Sequence, residues 1–279
     1  MQDKIAIIGV GRLGKALTKA LLDSEANLVG IYDLDTKIKE SFARKLNIPF
    51  FENPYELIAV ADTVFLTVPD GEIESLAQCI AKACSQAKCY FHCSGAHGLE
   101  LLAALSNSSD IGCFHPLQSF SGETGSLKNV HIAVDGTERA VKQAQSLVNR
   151  LGASSLIVPS ADKPLYHAAA CILSNYLVTL NVVAENIFAR WNIPKSALQP
   201  LLMGSVGNIL ATEDTKLALT GPIGRGDAVT VARHLAVLPP QYIELYRVLA
   251  KETCKIAQEN KTNADGLQDI MQLLTAKEG

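Results

Sequence analysis

Apolar and polar positions fall into two regimes along the chain. Over the first 160 residues, short apolar runs at 4–8, 27–32, 48–51, 63–68, 88–92, 111–114, 130–134 and 155–158 read as strands. Between them lie stretches of helical periodicity at 15–22, 36–46, 54–60, 72–83, 99–105 and 137–151. Asn53 is placed to cap the short helix that Pro54 opens. Alternation of this kind predicts a parallel sheet with right-handed crossovers. His115-Pro116 is expected to stop the strand before it, and 119–126 reads as a Gly/Ser-rich loop. After Pro159 the pattern changes. Residues 162–191 read as one helix of about 30 residues, capped by Ser160 or Asp162 with Pro164 in its first turn. Helices at 195–210, 213–218, 228–237, 241–259 and 264–276 complete the chain without another strand signal. The expected architecture is α/β: a mostly parallel sheet domain over 1–160, then an all-α domain over 161–279.

One turn in this pattern carries chemistry. Gly9-Val10-Gly11-Arg12-Leu13-Gly14 follows the first strand and opens the first helix. A lone G-x-G-x-x-G is weak evidence, but the strand–turn–helix setting is what dinucleotide binding requires. Gly9 permits the tight turn, Gly11 lets backbone approach a diphosphate, and Gly14 lets helix and sheet pack closely. The helix N-terminus, with Arg12 and Leu13 in its first turn, faces N–H groups and a positive dipole end toward the phosphates. The second strand ends at Asp33, near the ~20-residue spacing expected of a carboxylate that binds the ribose 2′-hydroxyl. Asp33, with Asp35 beside it, favours NAD over a 2′-phosphate, and Arg12 and Lys37 soften that preference.

Composition narrows the class. Hydrophobic residues make up 48% of the 279 and charged residues 19%, which suits a globular protein with a sizeable core. A net charge of -3 argues against nucleic acid or an anionic membrane as partner. No unbroken apolar run reaches the ~18 residues of a membrane span, and the first strand starts too early for a signal peptide. Seven cysteines without a C-x-x-C pair fit a reducing cytoplasm.

In an open parallel sheet, ligands bind beyond the carboxyl ends of the strands. There, Val68-Pro69 makes a rigid turn suited to pressing on the nicotinamide ribose. Ser94, in His92-Cys93-Ser94-Gly95-Ala96-His97, either holds a substrate carboxylate or the cofactor carboxamide, or simply ends a strand. His115 faces the cleft or is satisfied by local backbone. On the long helix Lys163, His167, Cys171, Ser174, Asn181 and Glu185 form a thin polar stripe, with Asn175 at its margin. Most amphipathic helices carry a broad charged face instead. Lys163 and His167, one turn apart, are both candidates to protonate an alkoxide, and Asn175 to position the substrate oxygen. In Gly221-Pro222-Ile223-Gly224-Arg225-Gly226-Asp227, Arg225 suits bidentate capture of a carboxylate, while Asp227 binds substrate or caps the next helix. His234 reads as packing. A zinc site from Cys93, His97, Cys113 and His115 matches no closed structural spacing, so no metal is expected.

On the glycine motif, Val68-Pro69 and the segments His115-Pro116-Leu117-Gln118-Ser119-Phe120, Tyr166-His167-Ala168-Ala169-Ala170 with Ser174-Asn175-Tyr176, and Gly221 to Asp227, the chain resembles the Rossmann-like proteins with a DUF2520 C-terminal domain. These lie within the 6-phosphogluconate dehydrogenase-like superfamily. The resemblance covers essentially the whole chain, and it extends to divergent ketopantoate reductases. It implies an NAD(P)H-dependent reductase of a small keto acid, with 2-dehydropantoate the best specific substrate and pantothenate biosynthesis the setting. A pyrroline-5-carboxylate-type imine reductase is the alternative, and a dinucleotide-sensing protein without turnover is a third reading. The helix Lys and Asn of ordinary ketopantoate reductases, one turn apart, match Lys163 and Asn175 only loosely, since these stand three turns apart. A homodimer through the helical domain is expected, because related folds pair there.

Overall fold

A computed structural model describes residues 3–121, 126–261 and 263–276. Part of the expected loop at 119–126, residues 122–125, lies outside the described residues. The chain packs into two compact units, Met1–Leu177 and Val178–Gly279.

The first unit is a seven-stranded sheet among the described residues, flanked by helices. In chain order it contains β1 (Ile5–Ile8), α1 (Arg12–Asp23), β2 (Leu28–Tyr32), α2 (Thr36–Leu46), α3 (Pro54–Val60), β3 (Thr63–Leu66) and α4 (Asp70–Ala83). Then come β4 (Cys89–His92), a 3₁₀ segment (Leu99–Leu105), β5 (Asp110–Pro116), β6 (His131–Gly136), α5 (Glu138–Arg150), β7 (Ser154–Ile157) and the start of α6 (Lys163–Phe188). The strand order is β2-β1-β3-β4-β5-β6-β7. All neighbours are parallel except β5 and β6, which pair antiparallel.

Both faces of the central strands are covered, so they read as unbroken apolar runs rather than alternating ones. Ile7, Phe65, Phe91 and Phe114 pack on one face with Leu17, Leu21 and Val148. Phe65 stacks on Phe91 at 5.1 Å and meets Phe114 edge-on at 5.2 Å. Ala6, Ile8, Val64, Leu66 and Tyr90 pack on the other face with Leu57, Ile73 and Leu102. The register sets Tyr32, Ile8, Leu66, His92 and Cys113 side by side across the sheet. The residues that follow each of them therefore emerge along one edge.

Several sequence expectations need correction here. Residues 48–51 form only a single bridge, Phe50 to Ile31, rather than a strand. Pro49 has no N–H to donate to a ladder, although its carbonyl accepts from Ile31. β5 runs on through His115 and Pro116, because Pro116 is its last residue, where a missing donor costs little. Ser160 does not cap the long helix: its hydroxyl donates to Asp135 at 2.5 Å and accepts from the Leu99 N–H at 3.2 Å. Asn53 does cap α3, accepting from the Tyr55 N–H, with Pro54 in the first turn.

α6 is flanked by 3₁₀ turns at Ser160–Asp162 and Ala189–Trp191, so the long helix spans nearly the range its periodicity predicts. By length and composition, Ser160–Trp191 is apolar enough to cross a membrane. This corrects the test on unbroken runs, since scattered Ser, Asn and His residues interrupt the run without lowering the average much. The division between units falls inside α6, whose first turns carry Lys163 onto the sheet.

The second unit is helical among its described residues. After the rest of α6 come α7 (Lys195–Ala211), a 3₁₀ turn (Thr215–Ala218), α8 (Gly221–Gly224), α9 (Ala228–Val237), α10 (Pro240–Glu259) and α11 (Ala264–Thr275). Its core gathers Ile223, Val231, Cys254, Ala257, Leu267 and Ile270. His234 bonds the Tyr246 hydroxyl at 2.9 Å within this unit, a packing role.

Candidate active site at the carboxyl edge of the sheet

The three glycines of the first turn meet different demands. Gly9 has φ +103°, and a Cβ there would lie 2.7 Å from the Thr67 carbonyl carbon. A Cβ on Gly14 would lie 2.0 Å from the Gly9 carbonyl oxygen. Both are therefore required by the protein's own packing. Gly11 is not: a Cβ there meets nothing within 4 Å, and its φ of -71° suits any residue. The space in front of Gly11 is open at the start of α1, which has neither a capping side chain nor an acid in its first turn. Its first N–H groups have no intrahelical acceptor. An anion such as a diphosphate suits this cradle both sterically and electrostatically.

Two further groups fix the turn. The Thr67 hydroxyl donates to the Gly9 carbonyl at 2.6 Å, and Asp33 accepts from the Val10 N–H at 2.6 Å. The other Asp33 oxygen accepts from the Asp35 N–H at 2.8 Å. Asp33 thus stands at the end of β2 against the glycine turn, half-buried. Arg12 is exposed and Leu13 half-buried beside it. Val68 and exposed Pro69 lead from β3 into α4.

Beyond β4 the chain turns around Ser94. Its hydroxyl donates to Asp70 at 2.6 Å and accepts from the N–H groups of Ala96 and His97 at 3.3 and 3.2 Å. Ser94 is 2% exposed, so it organises the turn and aims Asp70 rather than offering itself to a ligand. His92 is fully buried, with its Nδ1 accepting from the Ser94 N–H at 3.2 Å. Its Nε2 is buried with no hydrogen-bond partner among the described residues. Burial, followed by the Lys163 charge, pushes its pKa down to about 4.

The end of β5 meets the first turns of α6. His115 Nδ1 lies 3.0 Å from the Tyr166 hydroxyl, ring edge to ring face. The His115 and His167 rings stand 6.0 Å apart at 84°. Gly95 lies between them: a Cβ there would be 2.6 Å from His115 Nε2 and 2.6 Å from His167 Nδ1. Two ring nitrogens from different elements therefore converge on the same small volume. His167 Nδ1 is buried and unpartnered, while Nε2 contacts Cys171 Sγ at 3.5 Å. The polar stripe continues along α6, with Asn175 Nδ2 3.8 Å from the same sulfur. Asn175 is exposed and stands about 12 Å along the helix from His167.

Lys163 is fully buried. Its Nζ donates to Cys113 Sγ at 2.8 Å, and that thiol donates in turn to the Ser94 carbonyl at 3.5 Å. Burial raises the Cys113 thiol pKa, and the Lys163 charge opposes the rise. Arg225 and Asp227 belong to the second unit. There Asp227 caps α9, accepting from the Thr230 N–H at 3.0 Å and hydroxyl at 2.6 Å. Those two bonds hold its pKa below the usual carboxylate range. Among the described residues no group of three or more His, Cys, Asp or Glu is placed to hold a metal ion.

Sequence reasoning gave no role to Asp70 or Thr67, met Gly95 and Tyr166 only within longer motifs, and met Cys113 only as a rejected zinc ligand. Only Tyr166 left a usable signal: a phenol beside His167 at the start of an apolar helix. The others depend on register and on contacts between residues far apart in the chain.

Two family models match successive parts of the chain, the second beginning before β6 and so spanning both units. Residues 2–117 match the family described as a Rossmann-like domain, and residues 130–253 match the domain of unknown function DUF2520. No curated protein matches the sequence significantly. Among solved structures, a Bacteroides fragilis protein provisionally classed as an NADP oxidoreductase is 21% identical, with a TM-score of 0.79 over 91% of this chain and 98% of its own. A reductive aminase from Aspergillus terreus, in complex with NADPH and ethyl-5-oxohexanoate, is 14% identical, with a TM-score of 0.62 over 98% of this chain and 93% of its own. A 1-pyrroline-5-carboxylate reductase from Streptococcus pyogenes is 16% identical, with a TM-score of 0.60 over 99% of both chains. At these identities the likeness establishes a shared fold.

Proposed function

We propose that the chain is a nicotinamide-dinucleotide-dependent oxidoreductase that reduces a small keto acid, with 2-dehydropantoate the leading candidate. The observation that carries this reading is the open cradle at Gly11, on the same sheet edge as two imidazole nitrogens converging over Gly95. The residues present fit a dinucleotide: Gly11 and the start of α1 would hold the diphosphate and Asp33 the adenosine ribose. Val68 and Pro69 would back the nicotinamide ribose. When bound, the nicotinamide supplies a hydride.

The remaining chemistry belongs to the chain. A carbonyl oxygen seated beside Gly95 gains negative charge as its carbon is reduced, so a proton must reach it. His167 is assigned that transfer, because its Nδ1 faces this volume and has no protein partner. Lys163 is the weaker candidate, since its ammonium is committed to Cys113. Asp70, anchored by Ser94, stands at the same strand ends and orients polar substrate groups. Asp33 favours a free 2′-hydroxyl and hence NAD, although NADPH accompanies the Aspergillus enzyme.

The similarity to the Streptococcus and Aspergillus enzymes favours a second reading, reduction of a C=N bond in a cyclic imine. Assaying 2-dehydropantoate and 1-pyrroline-5-carboxylate side by side, with NADH and NADPH, separates the two. Tight dinucleotide binding without turnover of either compound would instead point to a sensing role. His167→Ala is expected to lower kcat by about 10²–10⁴-fold, and Lys163→Met by less than tenfold. The reverse order would reassign the proton donor.

A homodimer in the cytoplasm completes the proposal. α6 buries only Lys163 and α7 buries no residue, leaving Leu173 and Leu210 each 79% exposed. Helices this apolar are stable in water only when covered, and a second copy offers a matching apolar face. All seven cysteines are free thiols, as a reducing compartment would keep them.

A further inference from the structure

We propose that Tyr166 holds His115 in the tautomer that carries its proton on Nε2, so that His115 donates a hydrogen bond to the substrate oxygen beside Gly95. This rests on the carbonyl- or imine-reducing reading and adds a catalytic residue and a positioning residue to it.

His115 Nδ1 lies 3.0 Å from the Tyr166 hydroxyl. A phenol is a better donor than acceptor, because its oxygen lone pair is partly drawn into the ring. A neutral imidazole nitrogen is a good acceptor. Burial raises the Tyr166 pKa to about 12, so the phenol keeps its proton throughout the neutral range. His115 is correspondingly neutral: burial, then the Lys163 charge, lowers its pKa to about 4. The groups that bear on it are Lys163 and His167 from α6, Asp70 from α4 and His92 from β4, with Asp70 alone opposing the shift. A neutral ring that accepts at Nδ1 must carry its hydrogen on Nε2.

Nε2 is the nitrogen that faces Gly95, and no protein acceptor is hydrogen-bonded to it among the described residues. A Cβ at Gly95 would meet both rings at 2.6 Å, so glycine there is what lets the two imidazoles close on this point. A neutral imidazole N–H serves well as an electrophile, because it polarises a carbonyl without bringing a competing acid. His115 stabilises the charge on oxygen while His167 delivers the proton, so the two imidazoles have separate tasks.

The test is a nitrogen-15 spectrum of the full chain labelled at histidine, with the His115 signals identified by their absence in His115→Gln. The expected result at pH 7 is a protonated Nε2 and a bare Nδ1, unchanged down to about pH 5. In Tyr166→Phe the Nε2-protonated fraction falls to that of a free neutral imidazole, and kcat falls about tenfold while the KM for the dinucleotide stays the same. A proton on Nδ1 in the unaltered protein, or an unchanged tautomer in Tyr166→Phe, overturns the proposal whatever the activity. The expected tautomer with neither a keto acid nor a cyclic imine reduced would defeat the functional reading instead.

Discussion

Replacing Gly11 by alanine separates a glycine kept for a ligand from one kept for the fold. The new methyl group meets no protein atom within 4 Å, and φ -71° with ψ -166° is extended backbone open to alanine. Removing glycine's freedom in the unfolded chain stabilises by ~0.4–1 kcal/mol where the conformation is compatible. Losing glycine at a helix N-cap costs about 0.5–1 kcal/mol, since alanine is a poorer cap. The two nearly cancel, so the melting temperature should move by no more than roughly 2–4 °C. Gly14→Ala is the contrast. Its methyl would sit 2.0 Å from the Gly9 carbonyl oxygen and 2.9 Å from the Thr67 hydroxyl. Overpacking against backbone costs about 3 kcal/mol, a fall of roughly 6–12 °C.

Binding should rank differently. A methyl at 11 holds the diphosphate off the N–H groups of α1, and each charge-assisted bond lost is worth ~1.5–3 kcal/mol, about 10–150-fold in Kd. Calorimetric titration with NADH and NADPH, beside scanning calorimetry of the same samples, reads both effects. If Gly11→Ala binds either dinucleotide as tightly as the unaltered chain, the cradle is not a phosphate site. A Gly11→Ala protein as unstable as Gly14→Ala would show instead that the turn needs all three glycines for itself.

Three other outcomes are expected. Asp33→Ala should weaken NADH binding about tenfold more than NADPH binding, because the carboxylate both accepts from a ribose hydroxyl and repels a 2′-phosphate; an unchanged ratio of the two dissociation constants would remove Asp33 from cofactor choice. His92 and His115 stay neutral down to about 4 when folded, against 6.5 ordinarily, so below 6.5 the unfolded chain binds more protons. Stability is therefore complete above about pH 6.5 and declines as pH falls, by about 2 kcal/mol per histidine at pH 5; equal urea midpoints at pH 7.5 and pH 5 would contradict this. Sedimentation equilibrium at micromolar concentration should give twice the chain mass, reduced to the monomer by Leu173→Lys with Leu210→Lys; a monomer without substitution would refute pairing.

The sheet and most helices are legible in the pattern because burial on both faces of a parallel sheet leaves unbroken apolar runs, and amphipathic helices leave a 3.6-residue period. α2 and α3 begin and end where their periodicity and caps put them. Residues 48–51 look like a strand to the same test, yet Pro49 denies the ladder a donor, and neighbouring Lys39 takes the Phe51 carbonyl instead. The site is legible in part. The glycine turn and Asp33 lie within one strand–helix–strand unit, so spacing alone finds them. Tyr166 and His115 are 51 residues apart in sequence, and Ser94 and Asp70 are 24 apart. Such pairs follow from the register of β3, β4 and β5 and from how α6 docks, which no local period encodes. Lys163 illustrates the same limit: the polar stripe makes it a candidate proton donor, but here it is fully buried on a thiol.

What separates function from folding at this edge is whether the protein itself accounts for each polar group. Ser94 is fully used by its turn and by Asp70, and Asp227 by the start of α9. Their chemistry is satisfied without a ligand. His167 Nδ1 is different: it is buried with no partner among the described residues, a condition that costs ~1–3 kcal/mol and that folded proteins rarely leave in place. Gly11 differs in the same sense, since nothing in the protein requires the missing side chain. A nitrogen with no acceptor or donor and a glycine with no neighbour both lie where a dinucleotide and its substrate would complete them. An unsatisfied group kept beside the strand ends is best explained by what it binds, because the fold alone would be more stable with a paired or apolar residue in its place.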